Sequence, residues 1–184
     1  MIKTDRCILR LPKNGEGALT LAFYNENKEH FSPWDPKKPA DFYTTEFWEK
    51  KITDALGEFE ENKSLRLNVY LDDNETLVGK LNFTGFERGP FQCCRLGYQI
   101  SKKFEGKGYM TESLKAAIDY LFNELNFHRI EANYIVNNEK SGRLLKRLGF
   151  VEHGIAKEYL LIDGRWQDHV LTSITNNNWK EPNE

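Results

Sequence analysis

Between residues 93 and 125 the apolar period of the chain changes from two to about 3.6, and it does so across a pair of glycines. "CCRLGYQIS" (93–101) alternates as a strand. Met110, Leu114, Ala117, Ile118, Leu121 and Leu125 then fall on one face of a helix. Between them "FEGKGYMTES" (104–113) sets Gly106 and Gly108 around Lys107, just ahead of that helix. Such a turn offers several backbone N–H groups to an anion, at the end where the helix macrodipole favours negative charge.

Two phosphate-binding patterns are excluded by spacing. A Walker A loop places Ser or Thr after its lysine, and Lys107 is followed by Gly108. A G-x-G-x-x-G fingerprint needs glycine at position 111, which is Thr111. What remains is an ordinary helix-entry turn or a phosphate cradle of another kind.

The rest of the chain supplies the setting. "RCILRL" (6–11) reads as a strand, "GEGALTLAFYNENKEHF" (15–31) as a helix and "SPWDPKKPAD" (32–41) as a turn-rich segment. A second helix starts at Thr44, an N-cap residue, with Trp48, Ile52, Ala55, Leu56 and Phe59 along one face. "LRLNVYL" (65–71) and "TLVGKLNFTGF" (76–86) form a hairpin about "DDNE". After the helix at 110–125 come a strand, "RIEANYIV" (129–136), and a short helix, "SGRLLKRLG" (141–149), ending in a C-cap glycine. A final hairpin joins 151–162 to 165–174 around "DG". The order β-α-α-β-β-β-α-β-α-β-β specifies an α/β (α+β) fold, a mixed sheet with helices on its faces. Gly97, mid-strand, predicts a bulge that splays 93–101 from 129–136 and exposes backbone N–H groups beside the glycine turn. A long ligand fits such a gap, with pyrophosphate on the turn and its reactive end along the strand.

Composition narrows the function. A chain of 184 residues, 39% hydrophobic and 29% charged, reads as one soluble globular domain over 1–184. A net charge of −2 is no nucleic-acid footprint. "MIKTDRCILRL" lacks the apolar run of a signal peptide and no later segment is apolar enough to span a membrane, so a cytoplasmic location is expected. Cys7, Cys93 and Cys94 show no C-x-x-C spacing, and His30, His128, His153 and His169 no H-E-x-x-H, so packing roles and no metal are expected.

The stretches "ERGPFQCCRLGYQI", "EGKGYMTES", "FHRIEANYIVNNEKSG", "LKRLGF" and "AKEYLLIDGRWQDHVLT" resemble the GNAT N-acetyltransferases. Within that family the chain is similar to the RimJ/RimL-type ribosomal-protein alanine N-acetyltransferases, RimJ-like members above all. The likeness runs from "CILRL" to "NNNW". It implies the GNAT fold, a mixed, mostly antiparallel, splayed sheet with helices on both faces. It also implies acetyl-CoA as cosubstrate and transfer of acetyl to the N-terminal amine of a protein, alanine of an S5-like ribosomal protein.

Laid on this sequence, the family's pyrophosphate loop Q/R-x-x-G-x-G/A falls on Glu105, Gly106, Lys107, Gly108, Tyr109 and Met110. Glu105 and Met110 depart from it. A carboxylate repels pyrophosphate, so the Glu105 side chain is expected to face away and leave binding to backbone N–H groups; Lys107 either adds charge or is a solvated loop lysine. Gly97, Tyr98, Gln99 and Ile100 are implied to run beside the cofactor, with a backbone N–H near Gly97 or Tyr98 as oxyanion donor. The family's N-x-x-S falls on Asn138 and Ser141, implying an Asn bond to the pantetheine arm and a Ser beside the sulfur. The bland reading makes Ser141 the N-cap of its helix. The tyrosine that many members carry four residues later as general acid is Leu145 here.

The resemblance further implies Glu158 as general base acting through water, against the plain reading of an exposed strand glutamate. Trp34, Tyr159 and Asp168 are implied to border the acceptor, with core or surface packing as the other reading of Trp34. The partner implied is a ribosomal protein N-terminus, with ribosome association and a monomeric or homodimeric enzyme. Two alternatives stay open: an acetyltransferase of a small amine or antibiotic, and a non-catalytic acyl-CoA-binding or ribosome-assembly protein, to which Leu145 and Glu105 lend weight.

Overall fold

Among the residues that the computed structural model describes, 1–181, nine strands join in one sheet. From one edge it runs β1 (Ile2–Lys3), β2 (Cys7–Arg10), β3 (Leu65–Leu71), β4 (Leu77–Glu87), β5 (Cys93–Ile100), β6 (Arg129–Glu131), β9 (Arg165–Thr175) and β7 (Tyr134–Ile135), and β8 (Val151–Ile162) pairs with β9. Every pairing is antiparallel except β5 with β6. The helices are α1 (Gly17–Glu26), α2 (Lys28–Phe31), α3 (Thr45–Glu60), α4 (Tyr109–Asn123) and α5 (Glu139–Arg147).

Alternation sorts the strands into two faces. Leu9, Leu67, Val69, Leu81, Phe83 and Leu96 bury against Leu114, Ala117 and Leu121 of α4. Each Leu, Val or Phe side chain so taken from water contributes about 1.5–3 kcal/mol. The other face carries an aromatic cluster in which Tyr70 and Leu77 meet Phe23, Tyr24, Phe31, Phe42 and Trp48, with Tyr24 and Trp48 stacked at 4.4 Å. Thr44 caps α3 as its sequence predicts, accepting the Phe47 N–H.

Three segments differ from their sequence reading. The helix read over 15–31 stops at Glu26, because the Asn27 amide donates to the Phe23 carbonyl and accepts the Lys102 N–H, drawing that residue out of helical geometry. The strand read over 129–136 is broken at Ala132 and Asn133, where the Asn133 side chain accepts the Thr172 N–H in place of a backbone carbonyl. The last short helix begins at Glu139 rather than Ser141, and Asn138 is its N-cap, accepting the Ser141 N–H.

The second of these, the break at Ala132 and Asn133, sets up the site. Gly97 carries no bulge: it pairs in register with Asn82, and the irregularity in that ladder lies between Thr84 and Glu87, near Gly85 at φ +60°. The splay is nonetheless present. Pairing of β5 with β6 ends at Arg95 and Glu131, and beyond that point the partner chain bends to follow β9. From Leu96 to Ile100, β5 has a strand on one side only among the described residues. The departure therefore originates at Ala132–Asn133 and not at Gly97.

Candidate active site

The open edge of β5 leads through Ser101 and a short 3-10 turn (Lys102–Phe104) into the glycine turn. Gly106 and Gly108 adopt φ of +75° and +86°, the left-handed region that glycine reaches without strain. Arg6 braces this turn from behind. Its guanidinium pairs with Glu112 at 2.7 Å, donates to the Lys107 carbonyl at 3.1 Å and lies over the Tyr109 ring. In a trans peptide the carbonyl and the following N–H point in opposite directions. Holding the Lys107 carbonyl toward Arg6 thus turns the Gly108 N–H to the other side of the turn. Met110 sends its side chain into the core and has only backbone to offer at the turn.

Across the gap stands α5. Tyr98 Oη and Ser141 Oγ meet at 2.6 Å, joining β5 to the first turn of α5 where no strand pairing remains. Burial pushes the Tyr98 phenol up to about 12, against the opposing effect of its bond to Ser141. Nearer the turn, the Glu105 carboxylate is held by Lys140 at 2.9 Å, so its charge is spent on an ion pair with α5. Leu145 is buried in the main core and presents nothing polar to the gap.

The other end of the site is built on β9. Val136, just past β7, donates its N–H to the Asp168 carbonyl, and the Asp168 side chain accepts the Glu158 N–H at 2.9 Å and pairs with Lys157 at 2.6 Å. These bonds pin a bulge in β8, where the β8–β9 register shifts between Ala156 and Leu160 and Glu158 sits at φ +48°. The Lys157 bond and then the Glu158 N–H hold the Asp168 carboxyl below its usual range. A non-glycine residue in this conformation costs about 1–3 kcal/mol, and such strain collects at functional sites. The Glu158 carboxylate is exposed, two strand positions from the chain that leads into Asn138 and Ser141. Tyr159 turns its hydroxyl to Asn133, from which it accepts at 3.2 Å, and packs its ring on His169.

On the opposite face of the sheet the 32–41 loop closes over β5. Gln99 accepts from Tyr24 Oη at 2.8 Å and donates to Asp35, which also pairs with Lys38. The Asp35 carbonyl takes the Asp163 N–H from the tip of the β8–β9 hairpin. Trp34, 39% exposed, precedes Asp35 in this tied segment. Lys80, opposite Gln99 on β4, lies buried under Trp48, and burial pulls its ammonium down to about 8, with Arg66 adding to the shift.

Of the residues singled out in the sequence, the fold gathers Tyr98, Ser141 and Asn138 on the gap, Glu105 to Met110 at one end of it, and Glu158 and Asp168 on the adjoining strands. Gly97 borders the gap as open backbone, a Cβ there meeting nothing within 4 Å. Sequence reading overlooked the Tyr98 hydroxyl, the Arg6 brace and the Gln99–Asp35–Lys38 tie. The alternation of 93–101, which turns Tyr98 and Gln99 to opposite faces, was the available sign of two of them.

A splayed, mostly antiparallel sheet with a glycine turn at the head of a helix defines a class of acyl-transferring enzymes, and sequence comparison agrees: a family model described as an acetyltransferase (GNAT) domain matches residues 6–151. The chain belongs to the GNAT acetyltransferases and has their fold. It is 38% identical over 179 residues to the ribosomal protein uS5-alanine N-acetyltransferase of Escherichia coli, across 97% of this chain and 92% of that protein. The crystal structure of a ribosomal-protein-S5-alanine acetyltransferase from Vibrio fischeri superposes with a TM-score of 0.92 at 34% identity, covering 97% of this chain and 98% of that one. RimJ of Mycobacterium smegmatis, solved in complex with CoA-disulfide, gives 0.87 at 26% identity, with 95% and 84% covered.

Proposed function

We propose that the chain, as one catalytic domain over 1–184, transfers acetyl from acetyl-CoA to the α-amino group of an N-terminal residue, alanine of an S5-like ribosomal protein. The observation that carries this reading is the loss of pairing on β5 beyond Arg95, which opens the sheet beside the glycine turn. In this reading the backbone N–H groups of 106–110 hold the pyrophosphate. The pantetheine arm follows Tyr98, Gln99 and Ile100 as an added strand would, and Asn138 and Ser141 flank it from α5. The Glu105–Lys140 pair relieves the repulsion that a free carboxylate would exert on the ligand.

The acceptor amine enters from the β8–β9 side, between the bulge at Glu158 and the 32–41 loop, with Trp34, Tyr159 and Asp168 as its surroundings. An N-terminal amine has a pKa of about 7.7–8.0 against about 10.4 for lysine, so it needs modest help to become a nucleophile. Glu158 supplies that help through one water. In this reading Asp168 has a supporting part, since its carboxylate takes the Glu158 N–H and Lys157 and so fixes the bulge that presents Glu158. A cytoplasmic enzyme, monomeric or dimeric and visiting the ribosome, suits this substrate; among the described residues no helix is long and apolar enough to cross a membrane.

Mass spectrometry of protein N-termini from cells with and without this chain tests the reading. Loss of acetyl from one ribosomal N-terminal alanine is the expected result. Unchanged N-termini, together with turnover of a polyamine or antibiotic by the purified protein, would refute it.

A further inference from the structure

We propose that Tyr98 is a positioning residue for acetyl transfer: its hydroxyl donates to Ser141 Oγ and so commits the Ser141 hydrogen to the sulfur of the departing thiolate. The inference rests on the reading above that Ser141 stands beside that sulfur. Leu145, one turn after Ser141, is buried in the core and brings no hydroxyl to the gap, whereas Tyr98 reaches the same helix from the facing strand.

A hydroxyl pair at 2.6 Å has two hydrogens, one of which is used between the partners. A phenol is a far more acidic O–H than an aliphatic hydroxyl, so in a bond between the two the phenol is the favoured donor and the serine oxygen the favoured acceptor. With Tyr98 donating, the spare hydrogen sits on Ser141, at the half-buried first turn of α5. The phenol stays protonated throughout the working range, because burial raises it to about 12, so the donor is never lost to titration. Asn138 completes the arrangement by accepting the Ser141 N–H, which fixes where the Oγ projects.

The chemical step balances without a proton leaving Tyr98. The neutral amine forms the N–C bond with its lone pair, and the carbonyl carbon passes through a tetrahedral oxyanion. The C–S bond then breaks with its electron pair going to sulfur. The nitrogen sheds one proton to solvent by way of the base, and the thiolate takes one from solvent as it leaves. Between these events the Ser141 hydrogen bond stabilises the charge that builds on sulfur, and Tyr98 keeps that bond aimed.

The test compares single-turnover rates of wild type, Tyr98→Phe, Ser141→Ala and the double variant with an N-terminal alanine peptide. One donor is acetyl-CoA; the other is S-acetyl-4-nitrothiophenol, whose thiolate is stable without a donor. Tyr98→Phe and Ser141→Ala should each slow transfer from acetyl-CoA by about 10- to 100-fold, with KM for acetyl-CoA changed less than about threefold. The double variant should be no slower than the slower single one. With the nitrothiophenyl ester every variant should come within about twofold of wild type. An equal loss with both donors would assign Tyr98 to holding α5 in place and overturn the proposal. A slow Ser141→Ala beside an unaffected Tyr98→Phe would overturn it while leaving Ser141 at the sulfur. An unaffected Ser141→Ala would remove the reading of Ser141 itself, and this inference with it.

Discussion

Replacing Gly108 with valine puts a β-branched side chain where the backbone stands at φ +86°. The left-handed conformation costs an ordinary L-residue about 1–2 kcal/mol, and a β-branched one more. The new Cβ would also lie 3.2 Å from Arg6 Nη2. Arg6 yields only by loosening its fork on Glu112 and the Lys107 carbonyl, the contacts that aim the Gly108 N–H. The turn relieves the strain by rotating that peptide, and at least one charge-assisted bond to the pyrophosphate is lost, worth about 1.5–3 kcal/mol. Binding of CoA, followed by titration calorimetry, should therefore weaken by about 10- to 100-fold. The α4 core beneath is untouched, so thermal unfolding of the ligand-free protein should fall by no more than a few degrees. S-acetylpantetheine, which has no pyrophosphate, should bind the variant and the wild type alike. Full CoA affinity in a folded Gly108→Val protein would refute the assignment of the turn.

Glu158→Gln should slow acetylation most below about pH 8, where the acceptor amine still carries its proton, and the deficit should shrink above that value; a constant deficit across the pH–rate profile would remove Glu158 as the base. Lys80→Met should stabilise the protein at neutral pH. An unfolded chain holds the Lys80 proton to about 10.4 and the folded one only to about 8, a difference of up to about 3 kcal/mol at pH 7. Since the unfolded state binds that proton more tightly, wild-type stability recovers as pH rises from about 8 to about 10.4. Urea unfolding at pH 7 and pH 10 should show the advantage of the variant large at the first and small at the second; equal advantage at both would refute the burial argument.

What the sequence revealed depended on how local the cause was. The 65–71 and 77–87 hairpin, the 109–123 helix and the Thr44 cap rest on period and on contacts within a few residues, and each was readable. The split of 129–136 was hidden because its cause is an Asn133 amide that bonds Thr172, 39 residues away. The splay was foreseen, yet credited to Gly97, the nearest glycine, when the neighbouring strand is what departs. Glu105 announced itself as an oddity in the turn, and its answer, Lys140, lies 35 residues on. The Tyr98–Ser141 bond spans 43 residues and the Arg6–Glu112 pair 106, and no periodic pattern encodes either.

Among the described residues the last strand in sequence is an interior one: β9 carries β6 and β7 along one edge and β8 along the other. During synthesis, β6 and β7 emerge with no antiparallel partner, and the bulge at Glu158 has no Asp168 to pin it. The half of the sheet that carries Glu158 and Asp168 therefore assembles in one step, after residue 175 has been added, whereas the β2–β5 portion can already pair. A nascent chain that has not yet reached residue 175 has half a sheet and an unpinned bulge, so the gap and the strands beyond it come together only once β9 is in place.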